Sequence, residues 1–379
     1  MTSPAAPTRS PGLRLGTIAG APVYLGRSWF VLAGILVIGA GITLNRLGAI
    51  SYLVGAAYAV LLLGSVLVHE IAHALAARSR GMQVKEVTAD FLGGHTSFVT
   101  SSGSPGTSAI VAVAGPLANL LIAAAAWPLQ LWLAGQPGLQ IAALVLWGLA
   151  LVNVFLAVFN LLPGMPLDGG QLVMALVWKV TGRAHRGWTV AGYLGQVLAV
   201  GVVAWVLVRP LFLDGRIPRL WEVAWVALLF RSMWQGASAA KLRGVVLRAL
   251  TGRSAADVAT PVTYLLPSTP VGSAATAGTD VLAPDAAGQP AFLATAVEIS
   301  AVAAQRPETP LSGVLSRVDL GAVVEWAPED PAETLAARLA GLGGRLVVLT
   351  TATGRPWAVI DARRFDAAVT AHLATARRG

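Results

Sequence analysis

The sequence predicts a polytopic α-helical membrane protein: about six transmembrane helices and a membrane-associated β-hairpin, followed by a C-terminal cytosolic α/β domain pair. Three observations predict it. Of 379 residues, 55% are hydrophobic and only 12% charged, whereas charged residues make up about a quarter of an ordinary soluble domain. Stretches of about 20 apolar residues recur, each long enough to cross a hydrocarbon core of roughly 30 Å. From Ser254 onward the composition changes, with Pro, Thr, Asp and Glu returning and apolar runs shortening to strand length.

Residues 1–27 are rich in Pro, Gly and Arg and lack the apolar core of a secretory signal. They read as a cytosolic N-terminal leader, with residues 15–27 a short extended segment entering the first span. The spans are expected at Ser28–Leu44, Tyr52–Ala77, Ser108–Leu133, Ala142–Leu162, Trp188–Val208 and Trp221–Met233. Between the second and third lies "GMQVKEVTADFLGGHTSFVTSSGSPG". Its β-branched residues on either side of Gly93-Gly94 suggest a hairpin against the membrane. After the last span, residues 241–253 read as a basic linker helix and 254–379 as a separate soluble pair of similar halves, with 28–240 forming the membrane domain.

Net charge is +9, and its distribution is topological. Arg9, Arg14 and Arg27 precede the first span; Arg78, Arg80 and Lys85 follow the second. Lys179, Arg183 and Arg186 follow the fourth, and Lys241, Arg243, Arg248 and Arg253 the sixth. The opposite loops hold only Arg46, Arg209, Arg216 and Arg219. The positive-inside bias places both termini in the cytosol of a multi-pass cell-membrane protein, with the lipid bilayer as partner and no nucleic acid. The chain has no cysteine, which excludes disulfides, thiolate metal sites and a cysteine nucleophile.

Chemistry enters in "SVLVHEIAHALAARSRG", residues 65–81. His69 and His73 are four apart, so a helix projects them from one face, one turn above the other. Two imidazole nitrogens at that spacing reach one zinc ion at about 2.0–2.1 Å. Glu70 is rotated by roughly 100° and reaches a water on the metal, as the general base of an HExxH motif. Two surface histidines and a glutamate would be the bland reading. It loses force inside an apolar span, where an ionisable group costs a few kcal/mol.

A hydrolytic zinc site usually takes three protein ligands and leaves one position open. The candidate third ligand is Asp168 in "NLLPGMPLDGGQLVMAL", where Pro163 and Pro166 break the fourth span and Gly169-Gly170 allow a sharp turn or close approach. A broken helix at membrane depth is tolerated only where it is buried in protein or lines a wet cavity. The alternative is that Asp168 caps the helix 169–180; the two roles are compatible.

"HEIAH", "AGPLANLL" at 114–121 and "FNLLPGMPLDGG" at 159–170 together resemble the site-2 protease family, intramembrane zinc metalloproteases of the M50 type. The resemblance covers about residues 15–240. It implies one Zn2+ per chain on His69, His73 and Asp168, with Glu70 activating the attacking water. It implies membrane-anchored protein substrates, and a hairpin that pairs with an unwound substrate helix. Asn160 matches a family asparagine that helps hold substrate or oxyanion, and Asn119 one that packs or hydrogen-bonds. His95 is not at a ligand spacing and reads as a solvated loop residue.

The tail is similar to cystathionine-β-synthase (CBS) domains, over about 250–379. "ADVATPVTYLLPSTPVGSA" matches the opening of such a repeat and "VVLTTATGRPWAVIDARRF" a closing one. Asp361 and Arg364 stand where ligand-binding repeats carry Thr or Ser and Asp for a ribose, a departure that argues against adenosine nucleotides. The pair is left a regulatory role, or a dimerising one toward a second copy of the chain. Two other classes compete: a CBS-regulated transporter or channel with His69, Glu70 and Asp168 lining an ion path, and a silent adaptor. A transporter predicts broken helices in two symmetric halves, whereas only one span here is broken; an adaptor has no need of all four chemical groups.

Overall fold

Strands β1 (Leu13–Ile18) and β2 (Ala21–Leu25) form an antiparallel hairpin ahead of the first helix. The computed structural model describes residues 12–18, 20–90, 93–98, 103–213, 215–318, 320–339 and 346–360. It divides into two units, Met1–Val245 and Val246–Gly379. In the first, β2 pairs parallel with β3 (Val84–Asp90), and β3 pairs antiparallel with β4 (Gly93–Phe98). The result is one four-stranded sheet in the order β1-β2-β3-β4. The described part of the expected leader is therefore built into a sheet.

That sheet exists because β2 and β3 each turn apolar residues toward α2 (Ile50–Ser79). Val23 and Val87 pack on Ala74, and Leu25 and Ala89 on Val66 and on Trp29 of α1 (Trp29–Thr43). Alternation fixes the register, since a one-residue slip would turn Val23 and Leu25 to the wrong face.

Gly93 and Gly94 are not the hairpin turn. They lie in β4, opposite Asp90 and Ala89, and His95 is a strand residue opposite Thr88 rather than a loop residue. The sequence treats glycine as punctuation; here Gly94 answers a close approach to α2.

Helices α3 (Pro105–Ala134) and α4 (Gln140–Asn160) pack beside α2. Ser104 Oγ accepts from the Thr107 amide at 3.2 Å, with Pro105 in the first turn, as a helix start favours. After α4 the chain is irregular until α5 (Asp168–Thr181). Then come α6 (Ala184–Val203), a π-helical turn Ala204–Val208 and the short α7 (Arg209–Phe212). Last is α8 (Leu220–Leu250), 31 residues long.

Among the described residues, four helical stretches are long and apolar enough to cross a membrane: Ile50–Ser79, Pro105–Ala134, Gln140–Asn160 and Ala184–Phe212. The six-span expectation exceeds this count. Helix α1 has 15 residues and is about 22 Å long at 1.5 Å per residue, short of a full crossing. Helix α8 carries Glu222, Arg231, Lys241, Arg243 and Arg248 and is not among the four. The expected linker helix 241–253 is not separate from the last expected span, because α8 runs without a break through Lys241 to Leu250.

The second unit repeats one unit of chain. β5 (Thr260–Tyr264), α9 (Val271–Ala275), β6 (Asp280–Pro284) and β7 (Pro290–Ala294) are followed by α10 (Ala296–Ala303) and the two-residue β8 (Ser316–Arg317). β9 (Leu320–Glu325), α11 (Ala332–Leu339), β10 (Leu346–Thr350) and β11 (Pro356–Ile360) retrace that path. In each half the first two strands pair parallel across a helix and the third returns antiparallel. The halves join through β5 and β11 into a seven-stranded sheet. Val262, Leu282, Val348 and Val359 form a core shared by both halves. Two capping boxes punctuate this unit, at Ser254 with Asp257 and at Thr295 with Glu298. Amide and hydroxyl donors hold both carboxyls below their ordinary range. Asp361 and Arg364 lie outside the described residues.

Candidate metal centre

His69, Glu70 and His73 sit on α2 with exposures of only 6, 5 and 7%. A helix so apolar buries three ionisable groups only when other elements supply partners. Each group has them.

His73 Nδ1 lies 2.6 Å from the Val111 carbonyl oxygen on α3. A carbonyl only accepts, so Nδ1 carries the proton and donates it, leaving a lone pair on Nε2. His69 Nδ1 lies 3.1 Å from the Asn119 side-chain amide, which is 1% exposed. The atom facing the ring is Asn119 Nδ2, a donor, while Asn119 Oδ1 is buried with no hydrogen-bond partner; a ligand Nε2 calls for the reverse, with a protonated Nδ1 donating to the Asn119 oxygen. The two ends of a carboxamide exchange by a half-turn, so either fits the space.

The free Nε2 atoms of the two rings stand 3.1 Å apart. Asp168, the first residue of α5, directs Oδ2 to 3.2 Å from His69 Nε2 and 3.3 Å from His73 Nε2. These three ligand atoms, from His69, His73 and Asp168, fall in one group within 4.8 Å. Tetrahedral bonds of about 2.0–2.1 Å place ligand atoms about 3.3 Å apart, so the triangle has the size that zinc requires. Asp168 Oδ2 is buried with no hydrogen-bond partner, a costly state for a carboxylate oxygen that a cation relieves. Its helix takes Leu167 as the capping position, with no side-chain capping bond. The capping alternative for Asp168 is not what the geometry shows.

Glu70 faces the sheet. Thr96 Oγ1 on β4 lies 2.7 Å from Glu70 Oε2 and 3.2 Å from the Glu70 carbonyl oxygen. Gly94, two residues earlier, lies so near that a Cβ there would come within 2.8 Å of Oε1. Gly115 of α3 does the same for the histidines: a Cβ would overlap His73 Nε2 and stand 2.6 Å from His69 Nε2. Behind His69, Asn153 of α4 donates to Ser65 Oγ at 2.9 Å, one turn earlier on α2. Asn160 is half-buried at the C-terminal end of α4 and outside the three-ligand group.

A family profile described as "Peptidase family M50" matches residues 57–143 and 137–202, which contain every residue of the group above. Over residues 57–202 the chain is similar to peptidase family M50. Among similar proteins, sll0528 of Synechocystis, which carries a provisional zinc-metalloprotease name, is 30% identical over 271 residues. The match covers 68% of this chain and 66% of that one, so just under two thirds of the relative's length is spanned. The solved site-2 protease of Methanocaldococcus jannaschii is similar at 23% identity over 60% of this chain and 94% of its own, with a TM-score of 0.44. The CBS-pair protein CBSX2 of Arabidopsis thaliana is similar at 16% identity over 34% of this chain and 99% of its own, with a TM-score of 0.20. The sequence locates the three ligand candidates and Glu70. It misses Thr96, Val111, Gly94 and Gly115. Thr96 stands beside the histidine that drew attention in "GGHTSF", and nothing in its type marks it. Asn119 was visible only as a motif residue.

Proposed function

We propose that the chain is an intramembrane zinc metalloprotease hydrolysing peptide bonds within or near the transmembrane segments of membrane-anchored proteins, in regulated intramembrane proteolysis. One observation carries the reading: three ligand atoms 3.1–3.3 Å apart, next to a glutamate held by Thr96, with His69, Glu70 and His73 on a helix apolar enough to cross a membrane. Cleavage of a single-span substrate by the purified protein, abolished by chelation and restored by zinc, tests it.

Zinc, when bound, polarises a carbonyl and lowers the pKa of water. His69 and His73 would hold it through Nε2, the His73 ring kept in the required tautomer by the Val111 carbonyl. Asp168 brings a negative charge that offsets part of the metal's. Glu70 is the general base and later the acid: Oε2 accepts from Thr96, which leaves Oε1 to take a proton and deliver it to the leaving amine. Asn160 contributes its amide to holding substrate. The outer edge of β4 is unpaired within the described sheet, so an extended substrate segment can add there as a strand beside Glu70. A transmembrane helix hides its scissile bond in its own backbone hydrogen bonding, and the substrate must unwind locally first.

The metal centre opens toward the cytosol in this reading. His73 precedes Arg78 by about 7–8 Å along the helix, and Arg78 and Arg80 mark the inner boundary by the positive-inside rule. Labels in the Gly135–Gly138 loop and at the C-terminus are expected on opposite faces of the cell membrane, the tail inside. Same-side labelling overturns the topology.

The tail modulates cleavage, as a CBS-like pair that also joins two copies of the chain. Every proposed catalytic and ligand residue precedes residue 171. A chain ending after Gly252 is therefore expected to keep one zinc and measurable cleavage, with altered regulation. Zinc loss on that truncation refutes the separation of roles.

A further inference from the structure

The segment that presents Asp168 has little to hold it in place. Between the end of α4 at Asn160 and the start of α5 at Asp168 there is neither helix nor strand. Pro163 and Pro166 have no amide hydrogen to donate. Of the backbone bonds donated by Gly164, Met165 and Leu167, only that from Met165 to the Ala191 carbonyl oxygen, at 3.0 Å, leaves the segment for another helix. Its position has to come from packing.

Two glycines supply that packing. A Cβ on Gly195 of α6 would overlap the Met165 carbonyl oxygen and stand 2.9 Å from the Met165 amide nitrogen. A Cβ on Gly236 of α8 would stand 2.6 Å from Pro166 Cβ and 2.8 Å from Pro166 Cγ. The obstacles are backbone and a closed ring, which cannot swing aside as a flexible side-chain end does. Met165 itself is 3% exposed and packs with Met174, Ala191 and Ala240. Beyond Asp168, Gly170 abuts the Gly164 and Met165 backbone just as tightly. Segment and helix start therefore form one block, and a push on Pro166 passes through Leu167 to Asp168.

We propose that Gly195 and Gly236 are positioning residues for the Asp168 carboxylate, a clamp between α6 and α8 that brings the acid to the two imidazoles. The inference rests on the reading of His69, His73 and Asp168 as metal ligands. It extends that centre to α8, since Gly236 lies beyond residue 202, where the family match ends. Metal bonds tolerate about ±0.2 Å, less than any displacement that would accommodate a new Cβ at either glycine.

The test is zinc affinity of the full chain in detergent, measured by competition with a chromophoric chelator, together with the visible spectrum of the cobalt-loaded protein. Gly236→Ala and Gly195→Ala each add one methyl group and raise helix propensity. Both are expected to bind zinc about 10–100-fold more weakly, the range found when support of a ligand is lost. The cobalt bands should shift while the circular dichroism stays parental. Gly64→Ala and Gly201→Ala, where a Cβ meets nothing within 4 Å, should bind as the parent does. Parental affinity and spectrum in Gly236→Ala overturn the proposal. So does zinc loss that comes only with unfolding in both clamp variants, because the contacts would then serve folding alone. A parent chain that holds no zinc, or an Asp168→Ala variant that keeps it, defeats the ligand reading itself.

Discussion

Glu70→Gln is expected to keep one zinc per chain and to lose peptide hydrolysis by about 10²–10⁴-fold, the share that a positioned acid–base group supplies. The substitution is nearly isosteric and leaves His69, His73 and Asp168 untouched. Thr96 Oγ1, 2.7 Å from Oε2, still finds an acceptor in the glutamine amide. What disappears is a basic oxygen able to take a proton and return it. Zinc content by elemental analysis and turnover on a single-span substrate, measured on the same preparation, separate binding from chemistry. Near-parental turnover would remove Glu70 from the mechanism.

Asp168→Ala is expected to lose both metal and activity. Two imidazoles 3.1 Å apart would remain, one short of the three protein ligands usual in a hydrolytic zinc site. Zinc affinity should fall by more than the about 10–100-fold that removal of an outer partner costs. A helix that merely lost a cap would be destabilised by about 0.5–2 kcal/mol and would keep its metal. Full zinc occupancy with a lower melting temperature would therefore return Asp168 to a capping role. The buried Oδ2 without a hydrogen-bond partner argues the other way.

What was legible in the chain divides by distance along it. The pair His69 and His73 could be read because four residues on a helix is a local relation. Asp168 could be read because a lone carboxylate between prolines and glycines is costly at membrane depth unless it has a use. Four of the expected spans follow from apolar length alone, and α1 falls short because length was the one thing its apolar run lacked. Thr96 could not be read, because its meaning depends on which strand passes beside α2 and at what register. Val111 acts through its carbonyl, which no side-chain pattern reports. Gly93 and Gly94 looked like a turn because glycine marks turns and close approaches equally. Residues 15–27 could be read as extended but not as part of a sheet for a related reason: β3, the partner of β2, lies beyond two intervening helices, and short strands announce themselves only through such pairings.

The three ligand candidates belong to two helices whose sequences are separated by about a hundred residues, and a ribosome adds residues at about 5–20 per second. His69, Glu70 and His73 thus leave the ribosome several seconds before Asp168 exists. During that interval the nascent chain holds a base and two imidazoles but lacks its third ligand, and the helix bearing Gly236 follows later still. The order of synthesis therefore means that the three-ligand group cannot be complete before most of the first unit has been made.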